Sequence, residues 1–289
     1  MRKVRQQMNW FYVPALLLMI LFVIWPFVQA FQISLMRWNG YGKVRTFIGA
    51  KNYLDMLKDP TFFKAFLNTV IYGVGCTLLQ NVIGLAVAML VNSRFRGNNM
   101  VRAIVYMPIM ISSFIMGYIM YFFFSFNRGI VNELISYLGM EPADWLANKQ
   151  YAVIIILLVN SWQYVGNSMI MYLAGLQGIS STYIEAATVD GATSGQVFTR
   201  IILPLLIPSI QTSVITNLIG SLKLYDIIMS LTSGGPGHGS ESLATYISNR
   251  YFDAEKAGYA AAIGIFTFIF IMAVSNSLNY YFDRKGVEY

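Results

Sequence analysis

The chain has one cysteine, one histidine and few charges, and each scarcity removes a class of function. Cys76 alone can form neither an intramolecular disulfide nor a cysteine metal site, and His238 alone cannot build a histidine cluster. No metal site is expected. Charged residues make up 11% of the 289 positions, against roughly 25% in soluble domains, which excludes an ordinary cytosolic protein. No G-x-x-x-x-G-K-S/T stretch occurs, so the backbone cradle and lysine that hold nucleotide phosphates are missing. The chain binds no cofactor and hydrolyses no ATP by itself on this reading. An integral-membrane enzyme would also need a catalytic constellation, and one His, one Cys and few intramembrane carboxylates leave none to assign.

What the chain has instead is apolar length. Hydrophobic residues are 56% of it, gathered in runs near 11–33, 66–91, 103–125, 151–175, 204–230 and 259–282. Each approaches or exceeds the roughly 20 residues that cross a hydrocarbon core of about 30 Å. These runs predict an all-α membrane protein of six transmembrane helices, a single domain over 1–289 with no soluble domain. The first run follows Arg2, Lys3 and Arg5 and so mimics a signal peptide. Gln29-Ala30-Phe31 is a poor small-residue cleavage site, however, and five more runs follow, which makes it a retained helix.

Net charge is +7, but the basic residues are dispersed among loops without interleaved aromatics, which points to membrane surface and away from nucleic acid. Lysines and arginines divide almost evenly between the two sides, because Arg37, Lys43, Arg45, Lys51, Lys58 and Lys64 share one loop. The positive-inside rule therefore does not orient the chain.

A polar island, 176–203, separates the fourth and fifth runs. Within it Ser180 or Ser181 can cap a short helix, Glu185 falls in its first turn or two, and Gly191 can leave the helical conformation without a Cβ penalty. Pro204 stands where the next membrane helix would begin. Glu185-Ala186-Ala187, three residues, Gly191, nine residues, then Ile201-x-Leu203-Pro204 is a highly specific spacing in a membrane chain.

That pattern resembles the cytoplasmic coupling loop of binding-protein-dependent ABC importer permeases. Flanking segments resemble the oligosaccharide and glycerol-phosphate branch of these permeases along nearly the whole chain: Phe47-Ile48-Gly49-Ala50-Lys51-Asn52-Tyr53, Gly129-Ile130-Val131-Asn132, Leu173-Ala174-Gly175-Leu176-Gln177, Leu224-Tyr225-Asp226 and Leu231-Thr232-Ser233-Gly234-Gly235-Pro236. The resemblance implies a type I ABC importer permease fold, multi-pass in the bacterial cytoplasmic membrane, with both termini cytoplasmic. It implies a second homologous permease subunit, two ATPase subunits carrying ATP and Mg, an external solute-binding protein and a sugar substrate. It assigns ATPase coupling to Glu185, Ala186, Ala187, Asp190, Gly191, Ile201, Leu203 and Pro204.

Substrate contact falls on two helical faces. Asn160, Tyr164 and Asn167 stand at i, i+4 and i+7 of the fourth run, with Trp162 and Gln163 close by, and Asn217, Gly220, Ser221 and Leu224 at i, i+3, i+4 and i+7 of the fifth. Amides and hydroxyls are costly toward lipid and useful along a wet pathway for hydroxyl-rich ligands. In the resemblance these faces fall on the family's sugar-contacting positions, although Tyr164 and Asn167 depart from members that keep glycine or aromatics there. The competing reading is hydrogen bonding between helices, with Gly220 allowing close packing.

Lys223 and Asp226 are the only ionisable residues deep in an apparent span. They must pair or face water, and at i and i+3 they can touch each other. A structural ion pair and a pathway role are both open, and Lys223 in the pathway would favour an anionic sugar. The turn-rich Ser233–Gly239 stretch is either a surface for the binding protein or a connector. Tyr118, Tyr121 and Phe122 either line the pore or pack. Import of glycerol phosphate or another polyol derivative is the neighbouring alternative. An ion-coupled secondary transporter is the more distant one, which would need paired broken helices in inverted halves.

Overall fold

The computed structural model describes residues 12–93 and 96–284. Phe11, Arg2, Lys3, Arg5 and both chain ends, expected in the cytoplasm, lie outside the described residues. Among the described residues four helices are long and apolar enough to cross a membrane: α1 (Tyr12–Ser34), α3 (Pro60–Asn92), α7 (Lys149–Gly178) and α13 (Ala257–Asp283). Two bent pairs bring the number to six: α4 (Asn98–Met110) with α5 (Ser113–Phe124), bent by 98°, and α9 (Ser194–Leu205) with α10 (Ile207–Leu222), bent by 67°. Shorter helices fill the loops: α2 (Lys51–Met56), α6 (Ile130–Tyr137), α8 (Ser181–Val189), α11 (Asp226–Leu231) and α12 (Leu243–Ser248).

The third and fifth runs are therefore not the continuous spans expected for 103–125 and 204–230. In the third, the chain leaves the helix at Ile111–Ser112, and Ser112 caps α5 by accepting the Ile115 N–H. In the fifth, α10 stops at Leu222 and α11 starts only at Asp226. Mean hydropathy over each run does not show either break, since the segments on both sides are apolar, although Ser112-Ser113 stands at the first and Lys223 and Asp226 flank the second. The second span also begins earlier than expected, at Pro60 instead of 66, because Asp59 accepts the Thr61 N–H at 2.9 Å and Pro60 supplies a fixed φ at the first helical position. Pro204 does not open the fifth span; it lies in the last turn of α9, and the straight part begins at Ile207.

The chain divides into two compact units. One comprises residues up to Phe62 with Tyr246–Ile269, and the other Phe63–Thr245 with residues from Phe270 on. In the first unit a two-stranded hairpin, β1 (Met36–Arg37) with β2 (Thr46–Phe47), follows α1 in the register Met36↔Phe47 and Arg37↔Thr46. Buried Asn52 on α2 donates to the Ser34 and Met36 carbonyls at 2.8 and 2.9 Å, satisfying groups at and just past the C-terminus of α1. Asp59 accepts hydroxyl hydrogen bonds from Tyr246 and, at 2.8 Å, from Tyr259. Burial pushes the Asp59 carboxyl pKa up, but these hydroxyls and the Thr61 and Phe62 N–H groups outweigh it and hold the acid below its ordinary 3.8. Tyr246 is correspondingly raised to about 12, by burial first and by Asp59 second.

Three buried clusters lie among the described residues of the second unit: Tyr72, Met116, Ile155, Ile156, Val159, Leu224, Ile227, Ile228 and Leu231; Ala88, Val91, Met169, Tyr172, Leu173, Leu176 and Leu206; and the smaller Leu218, Leu222 and Ile271. Close approach is paid for by glycine at Gly117, where a Cβ would come within 1.8 Å of Ser230 Oγ, and at Gly166, where it would come within 2.7 Å of the Val105 carbonyl oxygen. Polar side chains also join elements: Tyr172 donates to Asn81 Oδ1 at 2.5 Å, and Tyr72 to the Ser240 carbonyl at 2.9 Å.

Candidate functional site

The two helix breaks explain how irregular backbone survives in an apolar layer. Each broken turn frees carbonyls that lipid cannot satisfy. Gln163 Nε2 donates to the Ile111 carbonyl at 2.8 Å, and Ser242 Oγ to the Leu224 carbonyl at 2.6 Å. A side chain from elsewhere in the unit thus stabilises each break.

Between the breaks lies a cavity of about 240 Å³. Asn160, Tyr164, Asn167, Asn217, Gly220, Ser221, Leu224, Lys223 and Asp226 all line it. The structure brings the residues of both polar faces, with Lys223 and Asp226, to this one place, from α7, α10 and the 223–226 break. Gln80, Ser113, Thr216 and Tyr225 complete the wall. Sequence reasoning passed over these four: Gln80 is an amide inside an apolar run, a signal in itself, whereas Ser113 comes into play only because α5 starts there.

Hydrogen bonds fix several of these groups. Ser113 Oγ and the Tyr164 hydroxyl are 2.8 Å apart, and Gln80 Nε2 donates to the Asn160 carbonyl at 3.3 Å. Gln80 Oε1 is buried with no partner. Asn217 Nδ2 donates to Ser168 Oγ at 2.6 Å, so it joins α10 to α7 and lines the cavity at once. Gly220 does not serve close packing, since a Cβ there would meet nothing within 4 Å. It faces open space. Trp162 lines a separate apolar cavity with Leu79, Ile83 and Val165, and Gln163 is committed to Ile111.

Lys223 and Asp226 do not pair with each other. Among the described residues the one ion pair is His238 with Glu241, at 2.9 Å. The expected i, i+3 contact required a continuous helix, and the break at 223–225 removes that geometry. Both side chains are exposed at the cavity. Tyr118 and Tyr121 line another cavity with the 229–236 segment, while Phe122 is 66% exposed.

The 176–203 segment has a different character. Ser180 caps α8, Gly191 has φ of +80°, and the Ala192 N–H returns to the Ala187 carbonyl at 2.9 Å, closing the helix as glycine permits. Thr193 and Gln196 form a reciprocal capping box at the start of α9. No residue of α8 is buried: Glu185 and Ala186 are exposed, Ala187 half-buried, and Val189 is 88% exposed. Asp190, Gly191 and Ile201 line a small cavity between α8 and α9, whereas Leu203 and Pro204 are half-buried beside fully buried Leu206.

Residues 80–286 match the model of the family described as binding-protein-dependent transport system inner membrane component. The chain belongs to that family. This permease is 31% identical to the probable starch degradation products transport system permease protein AmyD of Thermoanaerobacterium thermosulfurigenes, over 96% of this chain and 94% of that one. It is 32% identical to the trehalose/maltose transport system permease protein MalF of Thermococcus litoralis, over 90% and 88%. Its fold is that of a chain in the crystal structure of a bacterial alginate ABC transporter in complex with alginate pentasaccharide-bound periplasmic protein, with TM-score 0.83 at 24% identity over 96% and 94%. The permease is thus a membrane-embedded transport component.

Proposed function

We propose that this permease forms one half of the translocation pathway of an ATP-driven importer for an oligosaccharide. The observation that carries the reading is the cavity between the two helix breaks, walled by amides, hydroxyls and two aromatic residues. Such groups bind sugar hydroxyls by forked hydrogen bonds and cover ring faces. Lys223 and Asp226 contribute opposite charges, so the wall as a whole carries no net charge and fits a neutral sugar. Its volume, about 240 Å³, falls below the roughly 300–1,000 Å³ of complete ligand pockets, as expected of a site finished by a second subunit. The starch-product and trehalose/maltose systems of its relatives support an oligosaccharide, and the alginate transporter complex supports delivery by a solute-binding protein.

In this reading two homologous permease subunits each present an α8 to one of two ATPase subunits, which hold ATP and Mg. Glu185 pairs with a cation of the ATPase, the small Ala186 and Ala187 admit close contact, and Gly191 turns the chain back into the membrane. Closure of the ATPases then moves α8 as a rigid body and shifts the equilibrium of the attached helices. Both chain ends lie in the cytoplasm and the binding protein docks on the other face. The test is transport in proteoliposomes holding the assembled complex, with ATP inside and no ion gradient, across a panel of oligosaccharides and glycerol phosphates. Uptake of an oligosaccharide only with ATP and the binding protein is expected; uptake driven by an ion gradient without ATP would refute the reading.

A further inference from the structure

A second cavity, of about 570 Å³, lies wholly within the unit that contains α1, α2 and the start of α13. Three cations and three carboxylates line it: Arg37, Arg250 and Lys256 with Asp55, Asp59 and Glu255. Among the described residues none of the six forms an ion pair. Charges of both signs kept apart around one space are arranged for something that enters it.

Its depth is set by the spans. Arg37 follows the end of α1 by three residues, Asp59 immediately precedes α3, and Lys256 immediately precedes α13. The cavity therefore stands where three apolar helices end, at the level of lipid headgroups.

Two of the six groups are anchored by aromatic residues, and the other four are exposed. The Arg250 guanidinium lies over the Tyr246 ring at 4.6 Å, and its Nε is buried with no hydrogen-bond partner. Asp59 is anchored by the two tyrosines, whereas Asp55 and Glu255 are exposed. Glu255 holds φ of +50°, which L side chains rarely adopt.

We propose that this cavity binds the headgroup of a zwitterionic aminophospholipid, its phosphate against Arg37, Arg250 and Lys256 and its primary ammonium against Asp55 and Glu255. Guanidinium and ammonium groups match phosphate oxygens, and carboxylates accept N–H bonds that a primary ammonium supplies and a quaternary one lacks. A quaternary ammonium would need an aromatic cage, but of the two aromatic residues that line the cavity the Trp38 ring is covered by Arg45 at 4.2 Å and Tyr259 is tied through its hydroxyl to Asp59. A purely anionic headgroup would leave the two carboxylates facing negative charge. Phosphatidylethanolamine thus fits better than phosphatidylcholine or phosphatidylglycerol.

The intact permease, purified in detergent with its co-purifying subunits, is to be titrated with short-chain forms of these three lipids and with soluble phosphoethanolamine, and bound molecules counted by native mass spectrometry. Phosphatidylethanolamine is expected to bind at least fivefold more tightly than the other two lipids. Arg37→Gln with Lys256→Gln, both at exposed positions, should weaken it at least tenfold, and Asp55→Asn with Glu255→Gln should erase its advantage over phosphatidylglycerol. Equal retention of all three lipids by the wild type, unchanged binding in the Arg37/Lys256 variant, or equally tight binding of soluble phosphoethanolamine would overturn the proposal. A photocrosslinker at Lys256 that captures a protein and no lipid would do the same. None of these readouts depends on transport, so failure here leaves the importer reading standing.

Discussion

The α8 helix and the cavity between the helix breaks use polar residues in opposite ways. In α8 they cap the helix locally and otherwise face outward, so the element is complete within a dozen residues and its outer surface is unused. Around the cavity Gln163 and Ser242 reach across to the two backbone breaks, which depend on them, and Asn217 joins α10 to α7. An element stabilised locally can lose a side chain without losing its fold. An element stabilised by distant partners cannot.

The widest separation between the two regions is expected from Glu185→Ala. In the reconstituted complex it should lower transport and substrate-stimulated ATPase activity tenfold or more, while the unfolding free energy changes by no more than the roughly 0.5 kcal/mol typical of surface substitutions; full activity would remove Glu185 from the coupling mechanism. Gln163→Leu should behave in the reverse order, destabilising the permease by about 1–3 kcal/mol in a denaturation series because the Ile111 carbonyl loses its donor. An unchanged midpoint would mean that water replaces the amide. Asn160→Leu should raise the apparent KM for the sugar about tenfold, near 1.4 kcal/mol, with little change in the rate at saturation.

Two smaller effects sharpen the contrast. Gly220→Ala points a methyl group into open cavity, so it should leave stability unchanged and shift KM a few-fold, whereas clear destabilisation would show that the space closes in the working cycle. Asp59→Asn probes the pH dependence of the first unit. Since the folded carboxyl titrates below its unfolded value, its ionisation stabilises the fold at pH values above about 4, and that contribution is lost as pH falls through the lower folded pKa. The melting-temperature deficit of Asp59→Asn should therefore be flat from pH 7 to 5 and shrink below about 4.

Much of this was legible in the chain itself, for reasons that track the same contrast. The α8 cap at Ser180, its end at Gly191 and the six apolar runs are local signals, and the helical spacings of Asn160, Tyr164, Asn167 and of Asn217, Gly220, Ser221, Leu224 brought those residues to one cavity without knowledge of the breaks. The breaks were only hinted at, by Ser112-Ser113 and by Lys223 and Asp226, because the groups that satisfy Ile111 and Leu224 come from Gln163 and Ser242, remote in the sequence. Asp59-Pro60 was a readable helix start, overridden by hydropathy alone. The charged cavity of the first unit was invisible for a further reason: its lining comes from 37–59 and 250–259, and nothing in either stretch announces the other.

The bend at Leu206 gives the molecule a lever. Leu206 is fully buried and its N–H is bonded back to Ile202 at 2.9 Å, so it marks a fixed point between α9 and the 16 residues of α10. At about 1.5 Å per residue α10 extends roughly 24 Å beyond that fulcrum, and a tilt of about 5° moves its far end by about 2 Å. That end is Leu222, next to Lys223 and the cavity. If α8 couples as proposed, a push there too small to disturb packing near Leu206 would arrive at the cavity as a displacement large enough to make or break a hydrogen bond.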